Sequence, residues 1–335
     1  MSASSPAPLV VSMGEPAGIG PEIIAAAWRA APALSRPWIV IGDAATLEAA
    51  GAEVERVTSL DGGGGGHLRV LDRPLPSPAT PGRPDPAHGA RIMAWVEEGV
   101  RLCLEGSASA LVTAPIGKAS LYASGFRFPG HTEFIADICS DAPHHGPRGP
   151  VMMLSTHGLR AVLVTIHEPL ARVPGLITGE RVAHTARVAH ASLKRDFGME
   201  APRLVLAGLN PHAGEAGTIG TEERDILEPA VASLRAEGID IRGPLPADTL
   251  FHDDARAGYD AAVCLYHDQA LIPVKTLDFW AGVNTTLGLP VVRTSPDHGT
   301  GLDIAGQGRA RPDSLIAALV QADSMAAMRA LAGAA

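Results

Sequence analysis

The fold of this chain is set by one stretch, Arg203-Leu204-Val205-Leu206-Ala207-Gly208-Leu209-Asn210-Pro211-His212-Ala213-Gly214-Glu215. Its short apolar run predicts a buried strand, and the strand gives way to a loop that carries an imidazole, a carboxylate and two glycines. In an open α/β sheet, ligands bind beyond the carboxyl ends of the strands. The stretch therefore predicts a functional loop around His212, provided that other loops with suitable side chains end at the same edge.

The rest of the chain repeats this order of a strand, a loop and a helix. Strands are predicted at residues 9–13, 38–42, 110–114, 151–155, 159–165, 203–207, 261–266 and 291–293, with the pair 151–155 and 159–165 forming a hairpin. Helices are predicted at 22–31, 44–51, 90–105, 178–197, 222–237 and 314–331. Such alternation is typical of an α/β fold with a largely parallel sheet. The glycine- and proline-rich segment 61–88 breaks the pattern, and we interpret it as a poorly ordered surface excursion.

Composition excludes several classes of protein. The 335 residues carry a net charge of −9 and no basic tract, which argues against binding nucleic acid through its phosphates. The three cysteines show no CxxC spacing, so neither a disulfide framework nor a thiolate zinc site is expected. The N-terminus lacks the pattern of a secretion signal, and no apolar run approaches the ~20 residues that span a bilayer. We expect a soluble, cytoplasmic protein that binds neither nucleic acid nor membranes.

Three histidines share one sequence context. His167, His212 and His267 each follow an apolar run that predicts a strand. If the three strands belong to one sheet, the histidines lie on one edge of it. Three imidazoles without thiolates suit a divalent ion that keeps an open coordination position. The alternative for each histidine is a hydrogen-bonded loop residue, but their matching positions favour a metal site.

A second set of polar residues is suited to an anionic substrate. Cations and helix N-termini bind phosphate or carboxylate. We place the set in loops near strand ends or helix starts: Lys118, His131, Thr132, Lys275, Asn284 and Arg293. Ordinary solvated charge is the alternative for Lys275 and Arg293. Lys275 nevertheless lies in an apolar stretch that can lower its pKa and suit it to acid–base work. Asp248 is a second candidate base, or else a carboxylate that caps a turn.

Several motifs of the chain, in order from residue 9 to the terminal helix, resemble the 4-hydroxythreonine-4-phosphate dehydrogenase family of pyridoxal phosphate biosynthesis. The motifs are Gly14-Glu-Pro-Ala-Gly-Ile-Gly-Pro21, Gly130-His-Thr-Glu133, the stretch 208–215, Gly243-Pro-Leu-Pro-Ala-Asp-Thr249, Tyr266-His-Asp-Gln269, Val283-Asn-Thr-Thr-Leu-Gly-Leu-Pro290 and Arg293-Thr-Ser-Pro-Asp-His-Gly-Thr300. The segment 62–86 does not resemble the family closely. Gly117 stands where the family often has Asn or His before the lysine at position 118.

The resemblance implies a homodimer whose subunits have two α/β/α lobes around a cleft, as in isocitrate and isopropylmalate dehydrogenases. We expect a cofactor-side lobe of residues 1–128 plus 275–335 and a metal and dimerisation lobe of residues 129–274. The resemblance places the divalent ion (zinc, magnesium or cobalt) on the three histidines, one of them supplied by the second subunit. It places phosphosubstrate contacts on His131, Thr132, Lys275, Asn284 and Arg293. Residues on the NAD or NADP side are expected to be Asn210, Gly214, Glu215, His298 and Asp303.

The implied reaction is the metal-dependent oxidation of 4-phosphohydroxy-L-threonine by NAD or NADP, followed by loss of carbon dioxide from the β-keto acid. Lys275 or Asp248 would take the hydroxyl proton. The same motifs suit other vicinal hydroxy acids, such as four-carbon aldonate phosphates or cyclic diol carboxylates. A metal-dependent hydrolase or isomerase without nicotinamide and a non-catalytic phosphometabolite-binding protein are the alternatives from other classes.

Overall fold

The computed structural model describes residues 6–61, 66–128 and 130–334. Its strands are β1 Leu9–Ser12, β2 Trp38–Gly42, β3 Val54–Val57, β4 Leu68–Asp72, β5 Ala110–Thr113, β6 Val151–Thr156, β7 Leu159–Leu163, β8 Leu204–Ala207, β9 Ile241–Leu245, β10 Ala261–Cys264, β11 Val283–Leu287 and β12 Arg293–Pro296. Its α-helices are α1 Gly20–Ala30, α2 Ala44–Ala49, α3 Gly89–Leu104, α4 Lys118–Ala123, α5 His131–Ile138, α6 Val173–Leu176, α7 Gly179–Phe197, α8 Glu228–Ala236, α9 Asp253–Arg256, α10 His267–Leu277 and α11 Asp313–Ala334. Single 3₁₀ turns lie at Pro86–His88, Leu170–Arg172 and Ala247–Thr249, and a π-helical turn lies at Glu223–Leu227.

The chain forms two compact units. Unit 1 comprises residues 1–143 and 289–327, and unit 2 comprises residues 144–288 and 328–335. Two of the three divisions, after residues 143 and 288, come later in the chain than the boundaries expected at residues 128 and 274. The physical reason is that α10 packs on β6 and β7 and β11 pairs with β6 in unit 2, whereas α5 packs on α3 of unit 1. His131 and Thr132 therefore belong to unit 1, and Lys275 and Asn284 belong to unit 2.

The strands of unit 1 run parallel in the order β3-β4-β2-β1-β5-β12. Helix α3 packs against β1, β2 and β5. Strands β3 and β4 were not predicted, because glycines and prolines on both sides of them hide the strand pattern. The residues after β4 are also tied to the unit: Leu75 N donates to Asp43 Oδ2 (2.9 Å), and His88 is buried. The excursion expected over residues 61–88 is thus largely structured where it is described.

Unit 2 has the strand order β11-β6-β7-β10-β8-β9. Strands β7, β10, β8 and β9 are parallel, and β6 forms the predicted hairpin with β7. Alternate side chains of β8 enter different apolar clusters. Leu204 and Leu206 pack with α7 and α8, whereas Val205 and Ala207 pack with α10. Because both faces are covered, β8 is an uninterrupted apolar run, and each fully buried leucine contributes about 1.5–3 kcal/mol. The predicted α/β class is confirmed.

Helix α11 is long and apolar enough to cross a membrane by length and composition, which the sequence analysis had not expected. Its buried side chains include Leu315, Ala318 and Leu319, and Asp323 forms a buried ion pair with Arg36 (3.1 Å). A helix that has one buried face and forms a buried ion pair with another segment of the chain is typical of a protein core. Its apolar composition is therefore weak evidence for a membrane span.

Candidate active site

The three loops that carry His167, His212 and His267 follow three neighbouring parallel strands. The loop of His167 follows β7, that of His267 follows β10, and that of His212 follows β8, in the spatial order β7-β10-β8. The carboxyl ends of parallel strands lie at one edge of the sheet, where α/β proteins bind their ligands. The sequence placed the loops correctly, and the metal-binding role of the histidines stays a prediction.

His167 and His267 are brought together. Their ring centroids lie 5.7 Å apart, with an angle of 42° between the ring planes. Both rings line a pocket of about 300 Å³, together with Ile166, Glu168, Leu170, Val173, Tyr266 and Asp268. The lining thus combines the two imidazoles and two carboxylates with apolar side chains.

His212 occupies a different environment. Its side chain is 69% exposed, it does not line this pocket, and its Nδ1 lies 2.9 Å from Glu215 Oε2. Within the described residues of the single chain, no three His, Cys, Asp or Glu side chains lie close enough together to hold a metal ion. The chain by itself therefore joins two of the three predicted ligands and keeps the third apart.

The donor groups fit a divalent ion chemically. Nδ1 of His267 lies 2.7 Å from Asp268 Oδ1, as Nδ1 of His212 lies beside Glu215. An imidazole whose Nδ1–H donates to a carboxylate presents Nε2 as a metal ligand, and the carboxylate fixes its tautomer and raises its basicity. Two of the three predicted ligands thus have the partner that metal-binding histidines commonly use.

The loop of His212 has an unusual backbone. From His212 to Ala216, five consecutive residues have left-handed helical angles, with φ between 44° and 79°. Only Gly214 among them lacks a Cβ, and a left-handed conformation costs the other residues roughly 1–2 kcal/mol each. Backbone strain of this kind is concentrated at functional sites, where surrounding contacts maintain it.

Two buried side chains that the sequence analysis did not single out for the site maintain this loop. Glu223 Oε1 accepts hydrogen bonds from the amides of Leu209 and Asn210 (2.8 Å each), and Glu223 Oε2 accepts one from Asn210 Nδ2 (2.8 Å). Gln269 Nε2 donates to Gly208 O (2.7 Å), while its Oε1 accepts from the amide of Leu265 (2.7 Å). Glu223 begins the π-helical turn before α8, a feature frequent at functional sites.

Asp248 lines a second pocket of unit 2, of about 380 Å³, which shares Tyr266 and Asp268 with the pocket of the two histidines. Its carboxylate is therefore near the predicted metal-binding edge. Lys275 lies in α10 and not in a loop as expected, and its Nζ is 5.2 Å from the centre of the Phe279 ring. The apolar run around Lys275 belongs to a helix, in which Leu271 and Val274 are buried while Ile272 and Leu277 are exposed.

Unit 1 holds a buried cationic group. Arg293, the last residue of the predicted strand 291–293 and the first of β12, is 2% exposed, and its Nη2 donates to Thr113 Oγ1 (2.7 Å). The same nitrogen lies 3.5 Å from Nδ1 of His131 at the start of α5, where Thr132 follows in the first turn. The buried Nε2 of His131 has no hydrogen-bond partner within the described part of the chain. A buried guanidinium and an available imidazole nitrogen at a helix N-terminus suit an anionic group.

Burial dominates the electrostatics of this group. It lowers the pKa of Arg293 to about 10, against the opposing influence of Glu133. Burial, and then the charge of Arg293, lower the pKa of His131 well below its usual 6.5. At neutral pH the pair therefore consists of a charged guanidinium and a neutral imidazole.

The other two predicted substrate residues are not part of this group. Asn284 lies in β11 of unit 2, again in a strand and not in a loop, where its Nδ2 lies 3.4 Å from Met152 Sδ. Its Oδ1 is buried and has no hydrogen-bond partner among the residues described. Lys118 begins α4, but its side chain lies outside the described part of the chain.

The expected cofactor residues divide between the units. Asn210 and Glu215 bond to Glu223 and His212, and Gly214 packs on Glu223, so all three help to build the loop of His212. His298 and Asp303 are exposed in unit 1. The loop that contains them packs on the turn after β1: Thr300 O accepts from the amide of Ile19 (2.9 Å). A cofactor role for these residues stays a prediction.

That turn also contacts Gly117, where the chain departs from the family pattern. Glu15 is fully buried, accepts hydrogen bonds from Ser120 Oγ (2.9 Å) and the amide of Ala17 (3.2 Å), and has its pKa raised by burial. A Cβ at position 117 would stand 2.9 Å from Glu15 Oε2. A larger residue at position 117 therefore requires the buried carboxyl group to move.

Comparisons with known proteins agree with this architecture. The family model described as pyridoxal phosphate biosynthetic protein PdxA matches residues 34–322. A protein of Maricaulis maris named 4-hydroxythreonine-4-phosphate dehydrogenase is 58% identical over 96% of this chain and 98% of its own length. The crystal structure of 4-hydroxythreonine-4-phosphate dehydrogenase from Klebsiella pneumoniae superposes with a TM-score of 0.86 and 36% identity, covering 97% of this chain and 99% of that one.

A more distant structure is a terephthalate 1,2-cis-dihydrodiol dehydrogenase from Burkholderia xenovorans. It has a TM-score of 0.63 and 30% identity, covering 95% of this chain and 98% of that one. The family model spans most of the chain, including the regions of the three histidines, and the two named dehydrogenases cover 96% and 97% of it. This protein is therefore a member of the pyridoxal phosphate biosynthetic protein PdxA family.

Proposed function

We propose that the protein is an NAD(P)- and divalent-metal-dependent 4-hydroxythreonine-4-phosphate dehydrogenase. It oxidises 4-phosphohydroxy-L-threonine to 2-amino-3-oxo-4-(phosphooxy)butanoate, which loses carbon dioxide to give 3-amino-2-oxopropyl phosphate. The observation that carries the proposal is the alignment of three histidine loops on adjacent parallel strands. A relative at 58% identity bears the corresponding enzyme name.

The residues of this chain have separable roles in such a reaction. Arg293 and the neutral His131 bind a negatively charged group of the substrate, with Thr132, Lys275, Asn284 and Lys118 as further contacts. Asp248 or Lys275 accepts the proton of the secondary hydroxyl, and a bound nicotinamide cofactor would supply the hydride acceptor. His167, His212 and His267 would hold a zinc, magnesium or cobalt ion, which would supply the Lewis acidity that makes that hydroxyl easier to deprotonate. Asn210, Gly214, Glu215, His298 and Asp303 are proposed to face the cofactor.

We further propose that the protein works as a homodimer in the cytoplasm, with one metal-binding histidine of each site contributed by the partner. Helix α10 begins at His267, and apolar side chains on it and just after it are exposed: Ile272 by 62%, Phe279 by 62% and Trp280 by 49%. Apolar groups exposed in this way are typical of a surface that another subunit covers.

The test is NAD(P) reduction at 340 nm by protein treated with chelator and then loaded with zinc, magnesium or cobalt. Turnover of 4-phosphohydroxy-L-threonine well above that of four-carbon aldonate phosphates and cyclic diol carboxylates supports the proposal. Preference for a cyclic diol would favour the activity named for the Burkholderia xenovorans relative. Substrate conversion without nicotinamide reduction would favour a hydrolase or isomerase.

Oligomeric state is measured separately by analytical ultracentrifugation. Trp280→Glu places a charge on the exposed apolar surface and is expected to weaken the dimer and the binding of metal together. A wild-type monomer at micromolar concentration that still binds one metal ion per chain would contradict a shared site.

A further inference from the structure

Glu223 contacts the loop of His212 at two places. Its Oε1 fixes the entry of the loop through the amides of Leu209 and Asn210. Its Oε2 lies against the middle of the loop, where a Cβ on Gly214 would stand only 2.7 Å away. His212 lies between these two points along the chain. The side chain of Glu223 is 3% exposed, so water does not compete strongly for these contacts.

The loop needs such support because its backbone is strained. Non-glycine residues in left-handed conformations persist only where surrounding structure holds them. The left-handed turn runs from His212 to Ala216, and Glu215 within it bonds Nδ1 of His212 (2.9 Å). The orientation of the His212 imidazole therefore depends on a turn whose entry and middle both rest on one buried carboxylate.

We propose that Glu223 is a positioning residue that holds the left-handed turn in the shape that presents His212 to the metal. The inference rests on the proposed metal-binding function of His212. Glu223 touches neither substrate nor metal in this role. It acts through the amides of the loop and through Gly214, and the Glu215 carboxylate transmits the geometry to the imidazole.

The experiment uses the full-length protein with Co²⁺ alone as the probe, because cobalt reports its ligands through its visible absorption spectrum. The variants are Glu223→Ala, Glu223→Gln, His212→Ala and the double variant of Glu223→Ala with His212→Ala. Glu223→Gln keeps an oxygen for the two amides and loses only the acceptor for Asn210 Nδ2, so it protects the test against misfolding of the alanine variant. Far-UV circular dichroism and the urea midpoint report folding.

Asp260→Asn is the matched control. Asp260 accepts hydrogen bonds from the amide and guanidinium of Arg203 (2.7 and 3.1 Å), just before β8 and β10 begin. The control therefore weakens a carboxylate contact of the same two strands at their amino ends, away from the histidines. It is expected to lower the urea midpoint and to leave Co²⁺ affinity within about twofold.

We expect Glu223→Ala to weaken Co²⁺ binding about 10–100-fold, as loss of an outer partner of a metal ligand commonly does, with Glu223→Gln intermediate. In the His212→Ala variant, Glu223→Ala should have little further effect on Co²⁺ affinity, because the imidazole through which Glu223 acts is already absent. If His212→Ala weakens Co²⁺ but folded Glu223 variants do not, the inference is wrong and the metal site stands. An equal loss from Glu223→Ala in both backgrounds also overturns it. If His212→Ala leaves Co²⁺ affinity unchanged, the proposed metal function itself fails.

Discussion

Reciprocal glycine and alanine substitutions in the His212 loop test its left-handed backbone directly. Ala216 is exposed and has φ 52°, so Ala216→Gly removes a strain of roughly 1–2 kcal/mol. The greater freedom of glycine in the unfolded chain costs about 0.5–1 kcal/mol. The expected net result is a gain in stability of about 0.5–1 kcal/mol. Gly214→Ala should lose more than about 2 kcal/mol, because φ is 79° and the new Cβ meets Glu223 Oε2 at 2.7 Å.

The measurement must report the unfolding of unit 2, which contains the His212 loop. A protein with two compact units does not necessarily unfold in a single transition. Trp280 is the only tryptophan in unit 2, so its ¹⁹F resonance in 5-fluorotryptophan-labelled protein follows that unit through a urea titration. Ala232→Gly, at an exposed position of the right-handed helix α8, is the control and should lose about 0.5–1 kcal/mol. If Ala216→Gly loses stability as Ala232→Gly does, the turn is not left-handed, and the argument for strain is refuted.

Three further predictions concern charge and catalysis. The pKa of His131 is lowered in the folded protein, so stability should fall as the pH drops below about 6.5, where only the unfolded chain takes up that proton. His131→Asn should make the urea midpoint less dependent on pH between 7 and 5, and an unchanged dependence would contradict the assignment. Thr113→Val removes the hydroxyl that accepts a hydrogen bond from Arg293 and should raise the KM for the phosphosubstrate about tenfold. Thr113→Ser keeps a hydroxyl and should have a KM close to that of the wild type. If the valine variant has the same KM as the wild type, Thr113 does not position Arg293. Asp248→Asn and Lys275→Met test the two candidate bases. The variant that removes the base should lower kcat about 10²–10⁴-fold and abolish the acidic limb of the pH–rate profile. If both variants have only a small effect on kcat, neither residue is the base.

The sequence predicted the α/β class and the edge on which the histidine loops lie. Both follow from short apolar runs. A strand that is buried on two faces must be apolar, and the polar residues that come directly after it in the sequence lie at its carboxyl end. It did not predict the left-handed turn. The residues Ala213 and Ala216 favour right-handed helix, and the left-handed turn depends on further contacts of the loop, among them those of Glu223 and Gln269 with its first residues.

The division into units and the roles of single residues were also harder to predict. Lys275 and Asn284 lie in α10 and β11, which belong to unit 2 because of packing that no local pattern records. Glu223 follows another glutamate at a predicted helix start, so its local sequence indicates capping. The dense glycine and proline content after residue 61 concealed β4, whose burial depends on pairing with β2 and β3.

The order of the strands has a consequence for the synthesis of the chain. Strand β10 is made after β7 and β8 but lies between them. A nascent chain that ends before Ala261 lacks β10, so β7 and β8 have no partner strand between them. It also lacks His267. The central strand must then insert between two segments that were translated earlier, a contact pattern that slows folding. The edge that carries the histidines is thus assembled only after translation has passed the middle strand, so a truncated chain can bury part of the core without acquiring the site.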